Sequence, residues 1–304
     1  MHKLRWDDLQ ILKAVAEHGS ANAAADVLGL NHSTVLRRVN AFENSQGVKL
    51  FERHHSGYRP TSAGHALLEA VSDIDRTVHG IQRTILGQDT RLAGTVTLTT
   101  TDSIAGSIVI EKLSEFRKLH PDIGVNLIMT NVRLDLTSLD ADISVRPSRN
   151  PPERLIGRRA CGLAFGVYCL HASHRKRMND LSRIDNWIGI SGELENSPVG
   201  DWLDKTVPKS AIVARANSFM VLRDMIRNGL GAAVLPCCLG DRSKGLHGVT
   251  GPIPELETSL WVLTHPDLKK SARLSALSDF LVRALRAERA LLEGGMASSR
   301  EAVD

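Results

Sequence analysis

Between residues 61 and 87 the apolar side chains Leu67, Val71, Ile74, Val78, Ile81 and Ile85 recur in steps of 4, 3, 4, 3 and 4. On a helix these positions form one narrow a/d stripe. Their neighbours Ser72, Asp73, Asp75, Arg76, Thr77 and Gln82 are all polar. A helix covered by its own domain carries a broader apolar face, whereas a stripe this narrow suits a partner helix. The segment predicts one long helix that pairs with a second copy of the chain. It also separates two regions that follow different patterns.

Residues 1–60 hold short helical patterns split by turn signals. Leu9, Leu12 and Val15 mark a first helix ending near His18-Gly19. Ser20 suits an N-cap for a short second helix with Ala23, Ala24, Ala25, Val27 and Leu28. Gly29 can adopt the left-handed conformation that ends a helix, and Asn31, His32 or Ser33 then caps a third helix running to about Ser45. At about 100° per residue, Val35, Val39 and Phe42 share one side of this third helix. Ser33, Thr34, Arg37, Asn40 and Ala41 share the other, with Arg38 on a flank. An ordinary surface helix also carries arginine, but a front of small polar groups plus arginine is what a major-groove reader needs.

The surroundings strengthen that reading. Phe51-Glu52-Arg53, a turn at Gly57 and a return strand to Pro60 form a wing beside the third helix. From His32 to Arg59, five basic residues (Arg37, Arg38, Lys49, Arg53, Arg59) face two acidic ones (Glu43, Glu52). The whole chain of 304 residues carries only +4, so its positive charge is concentrated where a DNA face would lie.

The stretch SANAAADVLGLNHSTVLRRVNAFENSQGVKLFERHHSGYRPTSAGHALL resembles the winged helix-turn-helix of the LysR-type transcriptional regulators. The resemblance is carried by Ala24-Ala25, Leu28, Ser33-Thr34-Val35, Arg37-Arg38, Glu43, the block from Gly47 to Arg53, and Thr61 with Gly64. Two positions depart from the family pattern: Leu36, where a small polar residue is usual, and Ala21, where an aromatic is common. The resemblance implies DNA contacts at Ser20, Asn22, His32, Ser33, Thr34, Arg37, Arg38, Arg53 and Arg59. It implies dimerisation through Leu67, Val71, Ile74, Val78, Ile81 and Ile85, often with further assembly into tetramers. Double-stranded DNA with a pseudo-palindromic operator is the partner that such a dimer reads.

From Gly94 onward, strand and helix patterns alternate, which predicts an α/β domain with mainly parallel strands. Strands are expected at Thr95–Thr99, Val125–Met129, Asp142–Val145, Leu163–Leu170, Trp187–Ile190, Ile212–Ala214, Ala232–Leu235 and Leu260–Leu263. Helices are expected around Val109–Phe116, over Asn217–Asn228 and over Ser271–Arg289. The tail from about Glu288 is small and polar enough to fray. In open α/β folds ligands bind beyond the carboxyl ends of strands. Thr101-Asp102-Ser103 forms such a place, and Arg146 at a strand end can offer a charge-assisted hydrogen bond to a carboxylate.

The family resemblance continues through GTVTLTTTDSIAGSIVIEKLSEFRKLHPDIGVNL, ADISVRPSRNPPERLIGRRACGLAFGVY, RNGLGAAVLPCCL and LWVLTHPDL. It implies an effector domain of two α/β subdomains like those of type II periplasmic binding proteins. The family's cleft positions fall at Thr101, Asp102, Ser103, Thr130, Asn131, Arg146, Ser191, Asn217 and Ser218. The resulting organisation is a winged helix-turn-helix (1–61), a dimerising linker helix and hinge (62–91) and an effector domain (92–304). Within the last, subdomain I takes 92–160 plus 266–290 and subdomain II takes 161–265.

The expected function is a DNA-binding transcriptional regulator controlled by a small-molecule effector, a carboxylate being one class, with RNA polymerase as a further partner. The alternative is a DNA-binding regulator without a ligand. An enzyme is disfavoured because no nucleophile elbow, P-loop, dinucleotide fingerprint or metal-ligand cluster appears, and a transport solute-binding protein is opposed by the helix-turn-helix and the lack of a secretory signal. No cofactor and no metal are expected. No run approaches the ~20 apolar residues of a membrane span, and the start MHKLRWDDLQ has no apolar core of a secretory signal. A reducing cytoplasm is the expected compartment. Cys161, Cys169, Cys237 and Cys238 lack C-x-x-C spacing and read as packing residues before redox sensors.

Overall fold

Three short helices open the chain in the computed structural model, which describes residues 5–54, 57–87, 90–131, 141–170 and 181–295. The molecule divides into two units, Met1–Ile81 and Gln82–Asp304, described in turn. In the first, α1 (Trp6–His18) ends at Gly19, whose φ of 67° lies in the left-handed region. Ser20 accepts a hydrogen bond from the Ala23 amide at 3.1 Å and caps α2 (Ala21–Leu28). Next come α3 (His32–Gln46), β1 (Phe51–His54), β2 (Gly57–Pro60) and the long α4 (Ser62–Gly87). Ala21, Ala24 and Ala25 of α2 are buried with Leu9, Leu12 and Val15 of α1 and Val35 and Val39 of α3. Methyl-sized side chains let these helices cross closely.

β1 and β2 pair antiparallel, Phe51 opposite Pro60 and His54 opposite Gly57. The Tyr58 amide donates to the Gly19 carbonyl at 2.7 Å, so the hairpin is drawn onto the α1–α2 turn. Glycine is required at position 57, where φ is 122° and a Cβ would stand 2.2 Å from that same carbonyl.

Glu43 joins α3 to the hairpin. Its side chain is buried, and it accepts hydrogen bonds from the Leu50 amide at 2.8 Å, the Phe51 amide at 3.1 Å and the Lys49 ammonium at 2.6 Å. Burial raises the carboxyl pKa, but the bonds from Lys49, Leu50 and Phe51 outweigh it and leave Glu43 below the ordinary glutamate value.

The long helix forms as the heptad pattern predicts, but its seam is divided. Val71 is 1% exposed and, with the half-buried Leu67, packs into the core of its own unit. Lys13 of α1 pairs with Asp75, one turn beyond Val71, so α1 reaches α4 at this part of the stripe. Val71 is therefore spent within the chain, and Leu67 is partly covered by the same core. Ile74 and Ile81 stay 43% and 59% exposed, and Val78 is half-buried. The Ile85 side chain lies outside the described residues.

The second unit has two lobes. The first lobe contributes β3 (Gly94–Thr100), α5 (Asp102–Ile104), a π-turn (Ala105–Val109), α6 (Ile110–Leu119), β4 (Ile123–Met129), β5 (Ile143–Ser148) and β6 (Ile156–Leu163). The second holds β7 (Phe165–Cys169), β8 (Trp187–Ile190), α7 (Pro198–Thr206), β9 (Ile212–Ala216), α8 (Phe219–Arg227), β10 (Ala233–Pro236), α9 (Cys237–Arg242) and β11 (His247–Gly248). The chain then returns to the first lobe through β12 (Thr258–Thr264), α10 (Ala272–Ala287) and α11 (Arg289–Leu292).

The first sheet runs β4-β3-β5-β12-β6, with β3 parallel to β4 and β5 and with β12 antiparallel to β5 and β6. The second lobe holds the antiparallel set β10-β7-β11 and the parallel pair β8-β9, linked by a bridge from Trp187 to Ala232. The strands are thus mixed where mainly parallel ones were expected. The cause is topological: β12 arrives from the second lobe beside the carboxyl end of β5 and must run back along it. For the same reason β12 belongs to the first lobe, and the expected subdomain boundary at 265 moves to before Thr258.

Other expectations shift as well. The run 163–170 is two strands parted at Ala164, whose amide donates to the Leu292 carbonyl at 2.9 Å. β6 was not anticipated, because Gly157, Arg158, Arg159 and Gly162 mask its pattern. The chain does not fray at Glu288: α11 buries Leu291 and Leu292, and the Gly162 amide donates to Glu293 at 2.8 Å. Residues 296–304 lie outside the description.

Removing the Glu43 carboxylate leaves two backbone amides without an acceptor. Glu43→Ala is expected to lower the stability of the first unit by about 2–4 kcal/mol in urea denaturation. Because the folded carboxyl has the lower pKa, its contribution is complete above the unfolded value near 4.5 and is lost as the pH falls through the folded value. The difference between wild type and Glu43→Ala should therefore shrink on acidification, which a pH series of the same measurement checks.

Candidate nucleic-acid interface and ligand cleft

With Val35, Val39 and Glu43 buried, the opposite side of α3 is left to solvent. His32, Ser33, Arg37, Asn40 and Ala41 are exposed there, and Thr34 is half-buried. Short polar groups around one arginine make a face that can approach base edges and phosphates. Arg38 differs from its expected place on the flank of that face. Its guanidinium lies 3.4 Å from Asp8 of α1, and both side chains are partly buried, so it ties α3 to α1. Asn22 is exposed on the first turn of α2, while the Ser20 hydroxyl is engaged as that helix's cap. Arg59 is exposed on β2. Arg53 stands opposite Tyr58 in the hairpin register, and its side chain and His55 lie outside the described residues.

Two residues that orient this face were missed as functional. Glu43 had a signal, since a charge four residues after Val39 falls on the apolar side of α3. Thr61 donates to the Lys49 carbonyl at 2.8 Å and accepts from the Gly64 amide at 3.1 Å, capping α4 while holding the hairpin's base.

In the second unit, the carboxyl ends of the strands bring several expected cleft residues together. Thr130 extends β4 by donating its amide to Thr100 at 3.0 Å. Asp102 accepts from the Ser103 amide through one oxygen. Its other oxygen accepts from Asn131 Nδ2 at 3.2 Å, and the same nitrogen donates to the Asn217 carbonyl at 3.0 Å. Asp102 and Asn131 belong to the first lobe and Asn217 to the second, so one carboxamide spans the cleft. The hydroxyls of Thr101 and Ser103 stand 3.5 Å apart. Across the cleft, the Ser191 amide donates to Ala216 at 2.9 Å, and Ser218 caps α8 by accepting from Val221 at 3.2 Å.

Arg146 takes a different direction. It is 9% exposed, and its Nη2 donates at 3.1 Å to the hydroxyl of Thr99, a fully buried residue of β3. Thr99 itself was invisible in the sequence, since a threonine inside a strand reads as a β-former.

A second clasp joins the lobes. Arg242 of α9 donates to the Ser107 carbonyl in the π-turn and to Glu111 at 3.0 Å. The hydrogen bond and charge of Arg242 hold the Glu111 carboxyl below its usual range. Concavities of about 680 Å³ and about 450 Å³ lie elsewhere, the first beside Leu113, Arg117 and Ile123 and the second beside His65 and Glu69 of α4.

All four cysteines are free and buried. Burial pushes the Cys161 and Cys237 thiols up to about 11 and Cys238 to about 12. Thiolate, the reactive form, is scarce at neutral pH under those conditions. Among the described residues no cluster of three or more metal-ligating side chains occurs, and no helix is long and apolar enough to cross a membrane. His171 and His174 lie outside the described residues.

Comparison with known proteins covers both units of the chain. The family model described as "Bacterial regulatory helix-turn-helix protein, lysR family" matches residues 6–65, and "LysR substrate binding domain" matches residues 89–286. The Mau operon transcriptional activator of Paracoccus denitrificans is 25% identical over 271 residues, 88% of this chain and 91% of its own length. The HTH-type transcriptional regulator CbbR of Xanthobacter flavus is 32% identical over 157 residues, 49% of this chain and 46% of its own. Full-length AphB of Vibrio cholerae, a member of the LTTR protein family, matches in fold at TM-score 0.54 and 17% identity, covering 92% of this chain and 99% of its own. A full-length OxyR variant from Pseudomonas aeruginosa matches at TM-score 0.60 and 16% identity, covering 97% and 98%.

The thiols can be checked directly. Under native conditions at pH 7.5, Ellman's reagent should label none of the four within minutes and all four after denaturation. Rapid labelling of the folded protein would show that a cysteine is accessible and activated.

Proposed function

The chain belongs to the LysR-type family of DNA-binding transcriptional regulators, and on that premise we propose how its own residues divide the work. The exposed front of α3 carries the reading. Ser33, Thr34 and Arg37 meet base edges in the major groove, while Ser20, Asn22 and His32 approach the flanking backbone. Arg53 and Arg59 of the hairpin reach phosphate or the adjacent minor groove. Arg38 acts through Asp8, fixing the angle of α3. Support comes from the burial of Val35, Val39 and Glu43 on the back of this helix, which leaves its front to solvent.

Two such faces read a pseudo-palindromic operator when two chains pair. Ile74 and Ile81, exposed on the single chain, continue the heptad seam with Val78 and Ile85. Unlike the buried Val71, they remain available to a second α4. Two dimers joining into a tetramer is the further assembly that the family suggests. The division 1–61, 62–91 and 92–304 is the matching division of labour into reader, pairing helix and sensor.

The two-lobed unit is the sensor. A small molecule bound among Thr101, Asp102, Ser103, Thr130, Asn131, Ser191, Asn217 and Ser218 stabilises one arrangement of the lobes over another. It controls transcription only through that difference in affinity. The DNA-bound assembly then presents itself differently to RNA polymerase.

Footprinting upstream of the chain's own gene should reveal a protected site whose affinity falls steeply with salt. Arg37→Ala should weaken it by about 1–3 kcal/mol, roughly ten- to hundredfold, and relax the sequence preference. An unchanged footprint would mean that α3 is not the reading element. Separately, Ile81→Glu should shift sedimentation of the full chain from dimer towards monomer and weaken operator binding while leaving helix content intact.

A further inference from the structure

We propose that the cleft takes its ligand through a nitrogen that donates hydrogen bonds, a primary ammonium above all, and that the Asn131 carboxamide occupies that nitrogen's place in this structure. The inference rests on the reading of the cleft as the effector site and adds the ligand's chemical class.

Three acceptors belong to the cluster where the lobes meet: Asp102 Oδ2, the Asn217 carbonyl and Asn131 Oδ1. The first two are served by a single nitrogen, Asn131 Nδ2, at 3.2 and 3.0 Å. That assignment also fixes the orientation of the amide, because both neighbours of Nδ2 are oxygens that only accept. Asn131 Oδ1 is then left buried without a hydrogen-bond partner. A buried acceptor without a donor costs about 1–3 kcal/mol, so the cluster is short of donors.

The charge balance points the same way. Asp102 is half-buried, and among the described residues no lysine, arginine or histidine lies within 4.0 Å of its carboxylate. A partly desolvated carboxylate favours a cation. A primary ammonium offers three N–H donors and one positive charge, which meets three acceptors and one negative charge. A carboxylate ligand would face Asp102 with like charge and would bring no donor to Asn131 Oδ1. Arg146 donates through Nη2 to the Thr99 hydroxyl and forms no ion pair with Asp102.

The substitution explains how binding reaches the lobes. Asn131 Nδ2 links Asp102 of the first lobe to the Asn217 carbonyl of the second. An ammonium in its place keeps that link, adds an ion pair and frees the carboxamide to turn its oxygen towards the ligand. The lobes are therefore held together more strongly with the ligand than without it.

The test uses the full-length chain with putrescine, ethanolamine and methylammonium as probes, against succinate and benzoate at matched ionic strength. Calorimetry and thermal unfolding report binding, and operator binding reports the fold of each variant. At least one ammonium probe should bind saturably and raise the unfolding temperature. Asp102→Asn should weaken that binding tenfold or more. Asn131→Asp, which removes the competing donor and adds an acceptor in the same shape, should strengthen it about tenfold. Binding confined to the carboxylates overturns the ligand class and leaves the cleft as the effector site. Binding by neither series, to wild type or Asn131→Asp, overturns both. Ammonium binding indifferent to both substitutions places the nitrogen elsewhere and also overturns the proposal.

Discussion

A carboxylate inside an apolar core is tolerable only when its charge and lone pairs are met, and Glu43 meets that condition with two backbone amides and one ammonium. The consequence extends beyond its own stability. The amides of Leu50 and Phe51 lie where the chain leaves the α3 turn and enters the hairpin, so the same three bonds set the angle between helix and wing. Hydrophobic contacts alone are non-directional and would allow the hairpin to slide across α3. The ionic anchor cannot slide without leaving amides unsatisfied. A DNA-reading surface made of one helix and one hairpin needs that fixed angle, because base edges are read within hydrogen-bond distance.

A related constraint shapes the second unit. Strand ends and helix starts leave backbone groups unpaired, and the first lobe turns from strand to helix at Thr101-Asp102-Ser103. Some of that demand is met locally, through Ser103 and Thr130. Two further carbonyls are met across the cleft, that of Asn217 by Asn131 and that of Ser107 in the π-turn by Arg242. A π-turn disturbs the regular i→i−4 ladder, and here one of its carbonyls accepts from Arg242. Polar contacts of this kind exchange with ligands or water at small net cost, unlike packed apolar layers. They suit an interface that must change.

The helices of the first unit were legible because each carried a local signature: Ser20 as a cap, Gly19 and Gly29 as stops, Ala24 and Ala25 as a close-packing face. The hairpin was legible from Phe51 to Pro60, although not the carbonyl of Gly19 that holds it. In the second unit, strands with an aliphatic run such as Trp187–Ile190 were found, whereas β6 was hidden by its arginines and glycines. Arg158 and Arg159 survive in that strand because Asp279 pairs with the first and Ser259 accepts from the second at 2.9 Å. Both partners are about a hundred residues away, so no local window could have shown them.

The heptad seam shows where pattern stops and packing begins. Its spacing determined that residues 62–87 form one helix with a single apolar stripe, since that follows from 3.6 residues per turn and the order of side chains alone. It did not determine what covers the stripe. Only the tertiary structure assigned Val71 to the chain's own core and left Ile74 and Ile81 exposed, because that depends on where α1 lies and on Lys13 reaching Asp75. The cleft divides likewise. Residue types and order determined that polar side chains stand at the strand ends. Asp102, Asn131 and Asn217 meet only because the fold brings together positions far apart in the chain, and the direction of Arg146 was settled by Thr99 on the neighbouring strand.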